Sequence, residues 1–183
     1  MRRHTRHQAR SIGYTLAPDA RPHCDRWYWP LPALGTSQPC VVSRHNGERP
    51  GIEIGYELRS GAIVPVYAAH DGVIRVATQT KSGFAATIDR GDWSTHYAQL
   101  DRLTFSHASA RRGTRVRAGQ IIGYTTRATP VRFELWRWTD VAGFVPTTPE
   151  PVMSDWLLLS ERDPNPSDAQ AQPTQPAITT VAA

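Results

Sequence analysis

The feature that most constrains the fold is a series of short runs between residues 61 and 138. They read "IVPVYAA", "GVIRVATQ", "FAATIDRG", "STHYAQLDRLTF", "TRVRAGQIIGYTT" and "VRFELWRW". Each is rich in β-branched or aromatic residues, and no capped segment of helical length and 3.6-residue period interrupts them. Turn signals separate them: "HDG" at 70–72, "KSG" at 81–83, "RGD" at 90–92 and "RRG" at 111–113. Several strands at this spacing predict an all-β fold, an antiparallel sandwich or partly open barrel, with irregular N- and C-terminal extensions.

The rest of the chain sorts around this body. Residues 1–26 form a basic arm with six arginines against Asp19 and Asp25. Residues 27–48 are a proline-punctuated lead-in to a β domain that spans 27–141. Residues 142–163 form a proline-broken extension carrying "MSDWLLL", and 164–183 read as a disordered Pro/Ala/Gln/Thr tail. No apolar run approaches the ~20 residues of a membrane span, so no membrane partner is expected. The N-terminal residues lack the apolar stretch of a Sec signal. The expected location is a virion, another assembly or the cytoplasm, with action at the bacterial envelope left open. The net charge of +5 rests on 20 arginines and Lys81. The arm could meet nucleic acid or an acidic surface, but no stacking platform or recognition-helix pattern supports nucleic acid, which is held unlikely. Cys24 and Cys40 flank a 15-residue loop. A disulfide there would add ~3 kcal/mol in the chain-entropy model, and two free thiols fit equally well.

Six landmarks stand in one order: "WPLP" at 29–32, "PGIEI" at 50–54, "GAIVPVYAAHDGVI" at 61–74, "IDRGDWSTHYAQL" at 88–100, "GTRVRAGQIIGY" at 113–124 and "PVRFELW" at 130–136. Together they resemble the M23 (LytM-like, lysostaphin-type) metallopeptidase domain over residues 27–141. In "GTRVRAGQIIGY" the glycines Gly113, Gly119 and Gly123 punctuate what reads as a hairpin with Val116 and Ile121 inward.

The resemblance implies hydrolysis of peptide cross-links in bacterial cell walls by one zinc. That zinc would have two histidines, one aspartate and a water as ligands, with two further histidines around it. Carried over position by position, the pattern is lost. Its first ligand histidine falls on Arg49 and its aspartate on Glu53. The histidine of Y-x-H-L falls on Gln99, and the final H-x-H pair on Pro130 and Arg132. A guanidinium has no lone pair to give a metal. The expectation is therefore a degenerate site without zinc or other cofactor, and no catalytic or metal-binding residue.

In its place the reading expects a groove formed by Arg49, Glu53, Tyr97, Gln99, Arg132 and Glu134. Arg49, Glu53 and Arg132 either converge as an ion cluster or are exposed residues left by drift. Strand alternation, with Gln99 taken as groove-facing, puts Tyr97 and Asp101 in the groove and His96 on the other face. His45 reads as a solvated loop residue that could in principle swing in, and His70 and His107 read as surface. His4, His7 and His23 lie in the arm without an assignable role. On the last strand, Val131, Phe133 and Leu135 read as core, opposite Arg132, Glu134, Trp136 and Trp138. The two tryptophans either stack a sugar or partner, or pack under "MSDWLLL", which is the preferred reading. The expected function is a catalytically inactive M23-like module with a binding or structural role. Its partners would be proteins of a larger assembly such as a phage tail or baseplate, with peptidoglycan peptide or glycan as a second class. The alternatives are an endopeptidase with an altered metal site and a nucleic-acid or acidic-partner contact through the arm.

Overall fold

The computed structural model describes residues 26–45 and 50–160. Within them lie eleven strands and two short helices. In chain order the strands are β1 (Cys40–His45), β2 (Gly51–Gly55), β3 (Ile63–Tyr67), β4 (Gly72–Thr80), β5 (Gly83–Arg90), β6 (Trp93–Leu100), β7 (Arg102–Leu103), β8 (Arg115–Val116), β9 (Ile121–Thr126), β10 (Val131–Thr139) and β11 (Gly143–Thr147). Helix α1 (His107–Arg111) sits between β7 and β8, and α2 (Glu150–Met153) follows β11. The six β-rich runs become strands β3 to β10, as their composition requires.

The strands form two antiparallel sheets, both open. The large one runs β1-β2-β10-β6-β5-β4-β8 with β11 pairing on β10, and the small one runs β3-β9-β7. The segment "GTRVRAGQIIGY" does not fold back on itself as a hairpin. Its first strand, β8, pairs with β4 in the large sheet, and its second, β9, joins β3 and β7 in the small one. The inward residues are accordingly Val116 and Ile122, with Ile121 half-buried. Gly123 still earns its place by close approach, since a Cβ there would lie 2.6 Å from the Arg102 carbonyl oxygen.

The core fills the space between the sheets. Ile52, Ile54, Ile74, Ile88, Tyr97, Phe133 and Leu135 of the large sheet meet Val64, Val66 and Ile122 of the small one. Burying a side chain of this size contributes roughly 1.5–3 kcal/mol each. The lead-in and the C-terminal extension belong to this core as well. Trp29 N–H donates to Leu157 O at 2.9 Å, Ala33 N–H to Leu159 O at 2.7 Å, and Leu157 N–H to Trp27 O at 2.7 Å. Tyr28 and Leu157 pair as a parallel bridge, as do Ala33 and Ser160. Trp156 stacks on Trp27 at 4.8 Å and meets Phe133 edge-on at 5.8 Å. The apolar cluster in the extension thus closes the open end of the core.

Candidate functional site

The outer face of the large sheet, away from the core, is a polar floor. Cross-strand partners share a face, so the register defines it. Glu53 on β2 is opposite Arg132 on β10, Arg132 is opposite Ala98 on β6, and Glu134 is opposite His96, which is itself opposite Thr87 on β5. Arg132 and Glu134, two residues apart on one strand, are joined by Arg132 Nε donating to Glu134 Oε1 at 3.0 Å. Trp136 Nε1 donates to Glu134 Oε2 at 3.2 Å. Both oxygens of this carboxylate, which is buried, are thereby satisfied. Gly51 lies beneath it, where a Cβ would sit 3.0 Å from Glu134 Cγ.

Glu53 gathers different partners. Gln99 Nε2 lies 3.5 Å from Glu53 Oε1, at the limit of a hydrogen bond, and His45 Nε2 lies 3.2 Å from the same oxygen. The His45 contact is off the line of a hydrogen bond, so that nitrogen, though shielded from water, has no hydrogen-bond partner among the described residues. His45 is the last residue of β1 rather than part of a solvated loop, because β1 pairs with β2 and sets it opposite Gly51. Arg49 and Cys24 lie outside the described residues. Cys40, half-buried, opens β1.

Tyr97 does not belong to the groove. It is fully buried, opposite Phe133 and edge-on to its ring at 5.3 Å. His96 takes the outer position instead, with Nδ1 2.9 Å from Thr87 Oγ1. The reason is a β-bulge. β5 and β6 pair Ala86 with Tyr97 but Phe84 with Leu100, so Ala98 and Gln99 together face the single residue Ala85. Gln99 absorbs the extra residue at φ 64°, a left-handed conformation held by no other non-glycine residue among those described. Alternation therefore breaks at Gln99, and counting back from it reverses both neighbours. Sequence did hold a trace of this: Tyr97 and Leu100, both large, are an odd number apart and point inward together only across a bulge.

His70 is also displaced from its expected place. It is buried where β3 turns into β4, with its ring 4.5 Å from that of Trp27. Nδ1 faces only the Asp71 carbonyl, 2.7 Å away, so it carries the proton and donates. Nε2 then accepts from the Thr95 hydroxyl at 3.0 Å. Thr95 Oγ1 lies 3.1 Å from the Tyr97 hydroxyl, which accepts from the Ala69 N–H at 2.7 Å. Burial pushes the His70 pKa down to about 4, and burial raises that of Tyr97. This is a structural network on the core face, invisible without the fold because His70 and Thr95 are 25 residues apart in sequence. His107 is exposed, as expected, although its Nδ1 donates to Ala77 O at 2.6 Å and ties α1 to β4.

Trp136 and Trp138 do not pack under the C-terminal segment. That segment covers the core face through Trp156, whereas the two tryptophans share the outer face with Glu134. The donor set of the outer face can be tested against a zinc ion. Among the described residues no three His, Cys, Asp or Glu side chains converge to hold a metal. Arg132, which holds one of the central outer positions beside Glu53, has no lone pair to offer. These residues do not fit a three-ligand zinc centre.

Comparison with known proteins bears on the same region. Residues 49–138 match the sequence profile of Peptidase family M23. No curated protein matches the chain in sequence. Among solved structures, the LytM protein of Ruminococcus gnavus ATCC 29149, described as a glycyl-glycine endopeptidase, is similar at a TM-score of 0.54 and 22% identity. That match covers 70% of this chain and 59% of the other. The antimicrobial peptidase lysostaphin of Staphylococcus simulans gives a TM-score of 0.46 and 18% identity over 68% of this chain and 56% of its own. A zinc-containing peptidase of Vibrio cholerae gives 0.46 and 20% over 67% and 39%. The chain thus spans well under two thirds of each of these proteins. At such identities the first likeness shows a shared fold.

Proposed function

We infer, from the premise that residues 49–138 belong to peptidase family M23, that this domain binds bacterial wall peptidoglycan without cleaving it. The observation that carries the reading is Arg132. Its guanidinium is committed to the buried carboxylate of Glu134 and stands in register beside Glu53, the acidic residue of the "PGIEI" segment in β2. A fixed cation at the centre of the floor repels a divalent metal and offers it no electron pair. The remaining polar groups, Glu53, Gln99 and His96, suit hydrogen bonding to amides and hydroxyls of a peptide or glycan. A protein assembly directed at the wall is the setting we propose, with the domain as its contact element.

His45 favours a second reading, a peptidase with a rebuilt metal site. It places an imidazole 3.2 Å from the surviving carboxylate of Glu53. Elemental analysis of the purified full chain, combined with digestion of purified sacculi, separates the two. The binding reading expects sub-stoichiometric zinc, co-sedimentation with sacculi and no release of soluble fragments. One zinc per chain, with digestion abolished by chelation, would overturn it in favour of the peptidase.

A further inference from the structure

The hairpin of β10 and β11 extends past the stretch that matches the family, which ends at residue 138. Its register pairs Trp138 with Phe144 and Thr139 with Gly143. The turn is tied by Thr139 Oγ1 donating to Gly143 O at 3.1 Å and by Ala142 N–H donating to Thr139 Oγ1 at 3.2 Å. The Trp138 indole is fixed from two sides. Phe144 meets it edge-on at 5.2 Å, and the bare backbone of Gly143, at φ 73°, lies under it where a Cβ would be 3.5 Å from the ring. On its other side the strand is anchored by Trp138 N–H donating to Asp92 O at 2.7 Å. A ring held this firmly is nonetheless 47% exposed, beside Phe144 at 37% and Val141 at 99%.

Nothing in the fold needs this exposure. The shelf shares the outer face of β10 with Trp136, Glu134 and Arg132, so it continues the polar floor in a straight line. It is nearly free of charge. Arg137, its neighbour in sequence, turns to the other face and lies over Trp93 at 5.6 Å, leaving Asp140 at the tip. A polyanion or a charged peptide finds no complement here. The exposed apolar area is about 300 Å² by the usual size of such side chains. A stable interface with a second copy needs about 800 Å² from each partner. The dimensions and chemistry suit a smaller, neutral ligand with an apolar C–H face and polar edges, which is a pyranose ring.

We infer that the β10–β11 hairpin is a glycan-stacking shelf: the Trp138 ring, held by Phe144 and Gly143, takes the C–H face of a neutral N-acetylated sugar. The strand's remaining sugars then run towards Glu134. This assignment rests on the reading of the domain as a wall-binding module and names the part of the wall that the hairpin grips.

The test uses the full chain and two probes: whole sacculi, and peptide-free oligomers of β(1→4)-linked N-acetylglucosamine. Wild type is expected to bind both. The double variant Trp138→Ala/Phe144→Ala should lose at least tenfold in affinity for the oligomer while still unfolding in one cooperative transition, its melting temperature lowered only by the loss of the contact between the two half-exposed rings. Trp138→Tyr, which keeps a flat ring, should recover part of that loss. Wild type that binds sacculi but not the oligomer, or a double variant that binds the oligomer undiminished, overturns the shelf alone. Wild type that binds no sacculi overturns the wall-binding reading and the shelf with it. A wild-type dimer that Trp138→Ala converts to monomer assigns the patch to self-association and overturns the glycan.

Discussion

The two faces of the large sheet are made by the same strands and have opposite chemistries. On β10, Val131, Phe133 and Leu135 are fully buried in an apolar core, while the alternate residues Arg132, Glu134 and Trp136 form a hydrogen-bonded polar set. The core face is held by packing, which tolerates little change in volume. The outer face is held by pairing of charges and amides, which tolerates exchange when partners change together. Period-two alternation lets one face be rewritten while the other holds the backbone still.

The comparison is tested most severely on the core side. Phe133→Ala removes a ring packed between Tyr97 and Trp156 and should cost about 3–5 kcal/mol in urea unfolding. A loss no larger than that of an outer-face variant would mean that the faces are not energetically distinct. Acidification tests His70, the one fully buried imidazole among the described residues. His70 is neutral in the fold with a pKa of about 4 and titrates near the ordinary 6.5 when unfolded. The unfolded chain therefore binds the extra proton between these values, and stability falls as pH drops from about 6.5 towards 4, by about 3 kcal/mol in all. His70→Gln should flatten the stability profile through that window.

Glu134→Ala probes the outer face at its most buried point. It strips Arg132 Nε and Trp136 Nε1 of their shared acceptor and should cost about 2 kcal/mol, less than a fully buried pair because Arg132 stays part-exposed. Equal loss on Glu134→Gln would show that shape rather than charge matters there. The smallest expected effect has the opposite sign. Gln99→Gly relieves a left-handed backbone and should raise stability by up to about 1 kcal/mol in the same unfolding assay. A destabilised glycine variant would mean that the Gln99 side chain, through Glu53, carries more than its conformation costs.

Strands β3 to β10 and the core positions of β10 were legible because they depend on local composition and on a period of two, whereas β1 and β11 lie in stretches read as a lead-in and an irregular extension. The site was legible only where that period runs unbroken. Arg132 and Glu134 fell on the expected face, whereas Tyr97 and His96 exchanged faces across one bulged residue. His70 was misplaced for another reason: its burial depends on Trp27 and Thr95, distant in sequence, which no local pattern reports. The "GTRVRAGQIIGY" stretch misled in a third way, since the positive-φ turn at Gly119 joins strands of two different sheets rather than two paired strands of one. Arg49, on which the expected ion cluster also depended, lies outside the described residues.

The parallel pairing of residues 28–33 with 157–160 has a mechanical consequence. One segment enters the domain at one end of the pairing and the other leaves it at the opposite end. A pull on the flanking chain therefore drives the two segments past each other along their length. The load falls on their hydrogen bonds together, in shear, instead of peeling them apart one by one. A domain fastened on one side to an assembly and on the other to a rigid wall would carry tension through the two segments that also seal its core.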